Sequence, residues 1–249
     1  MSNFSENILC IIPARMGSTR LKYKNLQEID TNLSLLDQAI ETAKGLEICI
    51  STDKPEMFSV GSEIKLIKRP KEISDSKSQI TPSISHALRE MEAINKKKYE
   101  LVVVLMPSIA ARSANILEKM IKLIRANSNC KSVMTAACSP QWIWKIKEKD
   151  SLAEVSWHPN SPKISQDLPP YMAEHASIII NRRDVVKNND KWQLPIILYE
   201  LPSWSVGFDI DNESDLTHAK VLYKSSKKLL KNWDGKHYLI NKLETITND

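Results

Sequence analysis

Residues 11–25 read Ile-Ile-Pro-Ala-Arg-Met-Gly-Ser-Thr-Arg-Leu-Lys-Tyr-Lys-Asn. An apolar run ends at Pro13, and the next dozen residues hold Arg15, Arg20, Lys22 and Lys24 together with Gly17, Ser18 and Thr19. A strand-end loop that wraps a polyphosphate needs these residue types. Arginine offers a planar fork of donors, lysine a compact positive charge, and glycine lets backbone N–H groups approach an anion. The spacing fits neither Gly-x-x-x-x-Gly-Lys-Ser/Thr nor Gly-x-Gly-x-x-Gly, and charge alone is equally met by a solvated surface loop. Its place after an apolar run, with one of only five glycines in the chain, points to a nucleoside triphosphate site. A second group, Asp209 and Asp211, lies two residues apart near the carboxyl end. In extended backbone such a pair points to one side, and its hard oxygens suit Mg²⁺ shared with phosphate. Taken alone, Asp-x-Asp is a solvated turn.

The rest of the chain must position these groups. At 249 residues, with 42% hydrophobic and 26% charged side chains, it can bury a full core. No apolar run approaches the roughly 20 residues that span a bilayer. The opening MSNFSENILC has no basic stretch before its apolar residues, so neither a membrane span nor a signal peptide is expected. A net charge of +5 suits small anionic ligands and is too small for a nucleic-acid footprint. Cys10, Cys49, Cys130 and Cys138 fit no metal or Cys-x-x-Cys spacing. Free thiols in a reducing cytoplasm are expected.

Strand-like and helix-like runs alternate through the first half. Strands are predicted over 7–14, 46–52, 64–68, 101–105 and 131–138. Between them come a helix over 33–44 closing at Gly45, one opened by Thr81 with Pro82 at its first position, and one capped by Ser113. This alternation predicts an α/β domain spanning 1–249, with a mostly parallel mixed sheet between helical layers. Over 139–181, three tryptophans, several prolines and short alternating runs predict an excursion from the sheet, serving as a lid or dimer contact. Strand character returns at 195–201, and 213–233 reads as a long terminal helix.

The 11–25 run resembles the amino-terminal signature of the sugar-acid cytidylyltransferases, the acylneuraminate family. Residues 14–21 are also similar to the spore-coat polysaccharide cytidylyltransferases. Four more segments match in order: Ser51-Thr52-Asp53, then Arg69-Pro70-Lys71-Glu72-Ile73 with Asp75, then 104–112, then Asp209-Ile210-Asp211 with Asp215-Leu216. The resemblance implies a three-layer, Rossmann-like nucleotidyltransferase fold. It also implies attack by a sugar-acid hydroxyl on the α-phosphate of CTP, with Mg²⁺, in a cytoplasmic homodimer. By the same resemblance Arg15, Gly17, Ser18, Arg20 and Lys24 hold the triphosphate, while Asn25 and Arg69 contact the nucleoside. Arg15, Lys24 and Asp211 are then catalytic, Asp209 and Asp211 hold the metal, and Met106, Ser108, Gln166 and His175 meet the sugar.

The departures from the family pattern cluster. Thr19 stands where lysine is usual, Met106 replaces glutamine, Ser165 replaces arginine, and His175-Ala176 replaces Asn-Gly. The nucleotide half is kept and the sugar half is remodelled. Exchanging glutamine for Met106 removes a donor and an acceptor from the pocket, so a polyhydroxylated substrate would leave groups unpaired. Three readings stay open: activation of an atypical sialic-like sugar acid, transfer to another sugar or polyol, or nucleotide binding without catalysis.

Overall fold

The computed structural model describes residues 6–75, 78–138, 144–147, 152–155 and 172–243. It opens with β1 (Ile8–Pro13), whose six residues are all buried. A short antiparallel pair, β2 (Glu28–Asp30) and β3 (Leu33–Ser34), leads into α1 (Leu35–Thr42). Ser34 and Asp37 form a capping box, so α1 starts two residues later than the apolar spacing predicts. It ends at Thr42, and Gly45 lies beyond it at φ 94.

β4 (Glu47–Thr52) and β5 (Lys65–Lys68) come next, followed by α2 (Ile80–Asn95) and β6 (Leu101–Val104). α2 begins before the predicted Thr81 cap. Gln79 holds its N-cap position without a side-chain bond, and Pro82 is the third helical residue. The first turn has no intrahelical acceptors for its N–H groups, so proline costs nothing there. α3 (Ala114–Ala126) is capped by Ser113, which accepts from the Ile116 N–H, as the sequence predicts. Then come β7 (Ser132–Cys138), β8 (Trp144–Lys147), β9 (Leu152–Val155), β10 (Met172–Arg182), α4 (Arg183–Lys187), β11 (Ile196–Leu201), α5 (Glu213–Lys231) and β12 (His237–Ile240).

Eight strands form one sheet in the order β12-β11-β7-β10-β6-β1-β4-β5. The pairings β1–β4, β1–β6, β4–β5 and β7–β11 are parallel, and β10 and β12 run against their neighbours. This is the mostly parallel mixed sheet that the alternation predicts. Its two faces carry separate apolar clusters. Ile8, Cys10 and Ile12 pack with α1, α3 and α5, while Leu9 and Ile11 pack with Ile84, Leu88 and Met91 of α2. Successive β1 residues thus serve opposite layers, which is why the strand reads as continuously apolar. The chain builds outward from β1 to β5, then returns through α2 to place β6 on the other side of β1. Loops leaving β1 and β6 diverge there, opening the crevice where open α/β sheets bind ligands.

The predicted excursion needs a correction at its carboxyl end. Residues 177–181 belong to β10, an eleven-residue strand in the middle of the sheet. It pairs with β6 through Ile179↔Val104 and with β7 through Met172↔Cys138. Within 139–171 only the antiparallel pair β8–β9 is described, so the lid or dimer contact expected there lies largely outside the described residues. Cys10, Cys49 and Cys130 are buried free thiols. Among the described residues no helix is long and apolar enough to cross a membrane.

Candidate active site

The basic loop leaves β1 at Ala14 and is tied down at once by the end of β4. The Ala14 N–H donates to the Ser51 carbonyl at 2.9 Å, and the Met16 N–H to Asp53 Oδ1 at 2.8 Å. Asn25 closes the loop on itself, its Nδ2 donating to the Arg15 carbonyl at 2.8 Å. Arg69, just after β5, is 5% exposed and donates from Nε and Nη2 to the Ser51 hydroxyl and carbonyl, both at 2.9 Å. Ser51-Thr52-Asp53 therefore braces the loop and Arg69 together. Burial pulls the Arg69 guanidinium down to about 10, opposed by the Asp53 charge, so it remains a cation at neutral pH. Gly17 does not use its conformational freedom in this backbone, and an added Cβ would meet nothing within 4 Å. Tyr23 takes the left-handed conformation instead, at φ 52.

The carboxylate pair is fixed from two directions. The N–H groups of Asp211 and Asn212 donate to Asp215 at 2.9 and 3.0 Å, within the capping box that starts α5. The loop after β6 lies alongside. Ile109 pairs with Asp209 in a β-bridge, and the Ile210 N–H donates to the Ser108 carbonyl at 2.8 Å. Arg112 organises that loop from beneath. It is 3% exposed, and its guanidinium donates to the carbonyls of Met106, Ile109 and Ser177. Burial pulls it down to about 9.

Lys24 and Arg20 reach across to the pair. Lys24 Nζ lies 3.0 Å from Asp211 Oδ1, and Arg20 Nη2 lies 2.8 Å from Oδ2. This contact joins residues 187 positions apart. Burial raises the Asp211 carboxyl, but the Lys24 hydrogen bond and the charges of Lys24 and Arg20 outweigh it and hold it below the ordinary range. Asp209 is pushed above that range by burial and then by the neighbouring Asp211 charge. Among the described residues no three potential metal-binding side chains cluster. Two carboxylates with room for phosphate oxygens are still the donor set that Mg²⁺ commonly uses.

Two cavities meet at Met106. The first, about 410 Å³, is lined by Arg15, Ser18, Arg20, Lys24, Asn25, Arg69, Ser108 and Asp211. It gathers every residue expected to bind the nucleotide except Gly17. Ser108, expected at the sugar, lines this nucleotide side. The second, about 270 Å³, shares Ile80 and Met106 with the first and has Asp209 on its wall. The aspartates thus straddle both.

His175 requires a correction, because it does not face either cavity. Glu174 and Ala176 line the second cavity, whereas His175 is 4% exposed on the opposite face of β10 near Arg112 and Ser205. Adjacent strand residues point to opposite faces. Burial lowers the imidazole to about 4, so it is neutral, and among the described residues neither ring nitrogen has a hydrogen-bond partner of good geometry. Ser165 and Gln166 lie outside the described residues. Sequence reasoning missed the ion pair of Lys191 with Glu174 at the second cavity, and no motif marks it. The bracing roles of Asp53 and Arg112 were also missed, although both residues sit inside matched segments.

Residues 9–93 match the family model described as cytidylyltransferase. The chain is 26% identical over 227 residues to the post-translational flagellin modification protein B of Campylobacter coli, covering 88% of this chain and 96% of that protein. It is 27% identical over 227 residues to the pseudaminic acid cytidylyltransferase of Campylobacter jejuni subsp. jejuni, with 87% and 96% covered. Among solved structures it is similar to CMP:2-keto-3-deoxy-manno-octonic acid synthetase complexed with CTP. The TM-score is 0.60 at 17% identity, covering 88% of this chain and 99% of that one, which shows a shared fold.

Proposed function

We infer that this chain, a divergent member of the cytidylyltransferases, activates a sialic-acid-like sugar acid by taking CMP from CTP and releasing pyrophosphate. The observation that carries this reading is the contact of Lys24 and Arg20 with Asp211. It brings the phosphate loop to Asp211 at the wall of the first cavity, with Asp209 two residues away on the wall of the adjoining one.

The acceptor hydroxyl oxygen attacks the α-phosphorus and its proton passes to solvent. The bond from that phosphorus to the bridging oxygen breaks, and the electron pair leaves with pyrophosphate. Such a transfer needs positioning and charge stabilisation more than covalent help. Arg15, Arg20 and Lys24 supply positive charge where the leaving group accumulates negative charge. Ser18 adds a hydroxyl donor. Arg69 and Asn25, both held by the bracing described above, form the nucleoside side of the cavity. In the resting site Lys24 and Arg20 neutralise Asp211. A bound triphosphate competes for the two cations and releases the carboxylate. Asp209 and Asp211 would hold Mg²⁺, which when bound supplies charge neutralisation between the phosphates. A cytoplasmic homodimer is the proposed working form. It is supported by family resemblance and, for the compartment, by the buried free thiols.

The test is pyrophosphate release from CTP and Mg²⁺ with a panel of nine-carbon sugar acids. Release with at least one acceptor, abolished in Asp211→Ala, is expected. CTP binding without turnover of any acceptor would overturn the reading in favour of a nucleotide-binding protein without transfer activity.

A further inference from the structure

We propose that a third cavity, behind the loop that follows β6, binds a small phosphate-bearing anion against Arg112, and that its occupancy tightens the hold on the nucleotide. This cavity is about 260 Å³ and lies between α1, the start of α3 and α5. It shares no lining residue with the other two, so it is separate from the site of CMP transfer. The coupling rests on the nucleotide reading above, whereas the anion site does not.

The observation that carries the site is a buried guanidinium on its wall. Arg112 lines the cavity at 3% exposure. Its Nη1 and Nη2 serve the carbonyls of Ser177, Met106 and Ile109, while Nε has no hydrogen-bond partner among the described residues. Among those residues no carboxylate pairs with it. The groups that could oppose its charge, the Cys10 thiol and the Tyr223 phenol, are both pushed up to about 12 by burial and stay neutral at pH 7. A buried cation without a counter-charge is costly, and an anion brought beside it offsets that cost.

The rest of the wall suits the same ligand. Lys227 and Lys231 join Arg112 against one carboxylate, Glu41, which Lys227 Nζ approaches only to 4.0 Å. Ala114 and Asn115 open α3, whose first N–H groups lack intrahelical acceptors and form the positive end of its dipole. Gln38 is 4% exposed, and its Nε2 donates to the Ala110 carbonyl at 3.3 Å, which fixes the amide's orientation. Its Oε1 has no partner among the described residues. An oxyanion that keeps a proton satisfies such an acceptor, and phosphate does so near neutral pH whereas sulfate does not. Since Nε is the free donor, an anion there leaves the Nη contacts in place. Those contacts hold Met106, which lines the nucleotide cavity. Filling the rear cavity therefore secures the loop, and by linkage a bound nucleotide favours the anion.

The experiment titrates inorganic phosphate calorimetrically into the whole protein saturated with a non-hydrolysable CTP analogue, at constant ionic strength, with sulfate as the comparison. Saturable phosphate binding is expected, about tenfold tighter than that of sulfate. Affinity should fall about tenfold in Lys227→Gln/Lys231→Gln, and the preference over sulfate should vanish in Gln38→Leu. Phosphate should also tighten the analogue about fivefold in the native protein relative to the lysine variant, where only competition at Arg15 and Lys24 remains. Glycerol phosphate separates the sources: tighter binding than inorganic phosphate supports a phosphorylated metabolite as occupant, and weaker binding supports free phosphate. No saturable binding, or binding untouched by the lysine substitutions, would overturn the site. Phosphate binding that leaves the analogue's affinity unchanged would overturn the coupling. If the analogue does not bind, the nucleotide reading fails, and the same titration without it still decides the site through the lysine variant.

Discussion

On one side of Met106 the walls are Arg15, Arg20, Lys24 and Arg69, and on the other they are Ile84, Val104, Ile179 and Val186. The charged side is held by explicit polar braces: Asp53 on the loop, Ser51 on Arg69, Asp211 on Lys24 and Arg20. The apolar side is an extension of the core between the sheet, α2 and α4. On the proposed reading the nucleotide would be gripped by groups that must give up existing partners, and the acceptor would enter a space whose inner wall is mostly apolar. Charge on the first side is sensitive to screening and single substitutions, while packing on the second tolerates salt and responds to volume.

The sharpest way to break this contrast is Lys24→Met. It removes a phosphate contact and leaves Asp211 with Arg20 alone, so kcat/KM for CTP should fall about 10²–10³-fold. The acid limb of the pH–rate profile should also move to higher pH, because a carboxyl that loses a cation titrates higher. Steady-state kinetics across pH checks both, and an equal loss in acceptor binding would erase the distinction between the cavities.

Arg112→Met strikes the wall they share. Three carbonyls lose their donor at about 1–2 kcal/mol each, so stability should fall by about 4 kcal/mol. The freed loop should raise KM for both substrates together. Thermal melting and paired kinetics test this, and a change in only one KM would show that the loop is held independently on each side.

His175 tests whether acid sensitivity belongs to the core or to the cavities. Its folded value of about 4 lies below the ordinary 6.5, so its stabilising contribution is present above 6.5 and disappears as pH falls toward 4. The loss reaches up to about 3 kcal/mol. The melting temperature should therefore fall more steeply between pH 6.5 and 4 in the native protein than in His175→Asn. An unchanged profile would mean that the ring is charged or reaches solvent.

The smallest effect is that of salt. Between 50 and 300 mM, values chosen to span roughly a halving of the Debye length, KM for CTP should rise a few-fold while KM for the acceptor stays within about twofold. Parallel rises would place a charge contact on the acceptor side.

The strands nearest the site were legible because burial on both faces leaves an unbroken apolar run, as in 101–105. The phosphate loop was legible because its chemistry is local and contiguous. β10 was hidden for a physical reason. It carries Glu174 and His175 near its start, and its register with β7 shifts between Glu174 and Ile179, where the Thr135 hydroxyl bonds the backbone. Neither simple alternation nor a continuous run survives such a bulge. The His175 assignment failed for the same reason: a motif position specifies a place along the strand and not the face. Lys191 was invisible because its importance comes from a fold that carries an α4–β11 loop residue to a strand it never neighbours in sequence.

The backward course of β10 through the sheet brings its amino-terminal end to the functional edge, and there the strand works as a two-sided ratchet. One tooth out of phase would turn a neutral imidazole toward the substrate and drive the Glu174 carboxylate into the chamber beside Arg112. Length changes before Met172 leave this phase intact, whereas a single residue gained or lost between Met172 and Ile179 exchanges the two sets at once. In a lineage drifting toward new acceptors, insertions and deletions should gather in the lead-in to this strand and spare its first seven residues.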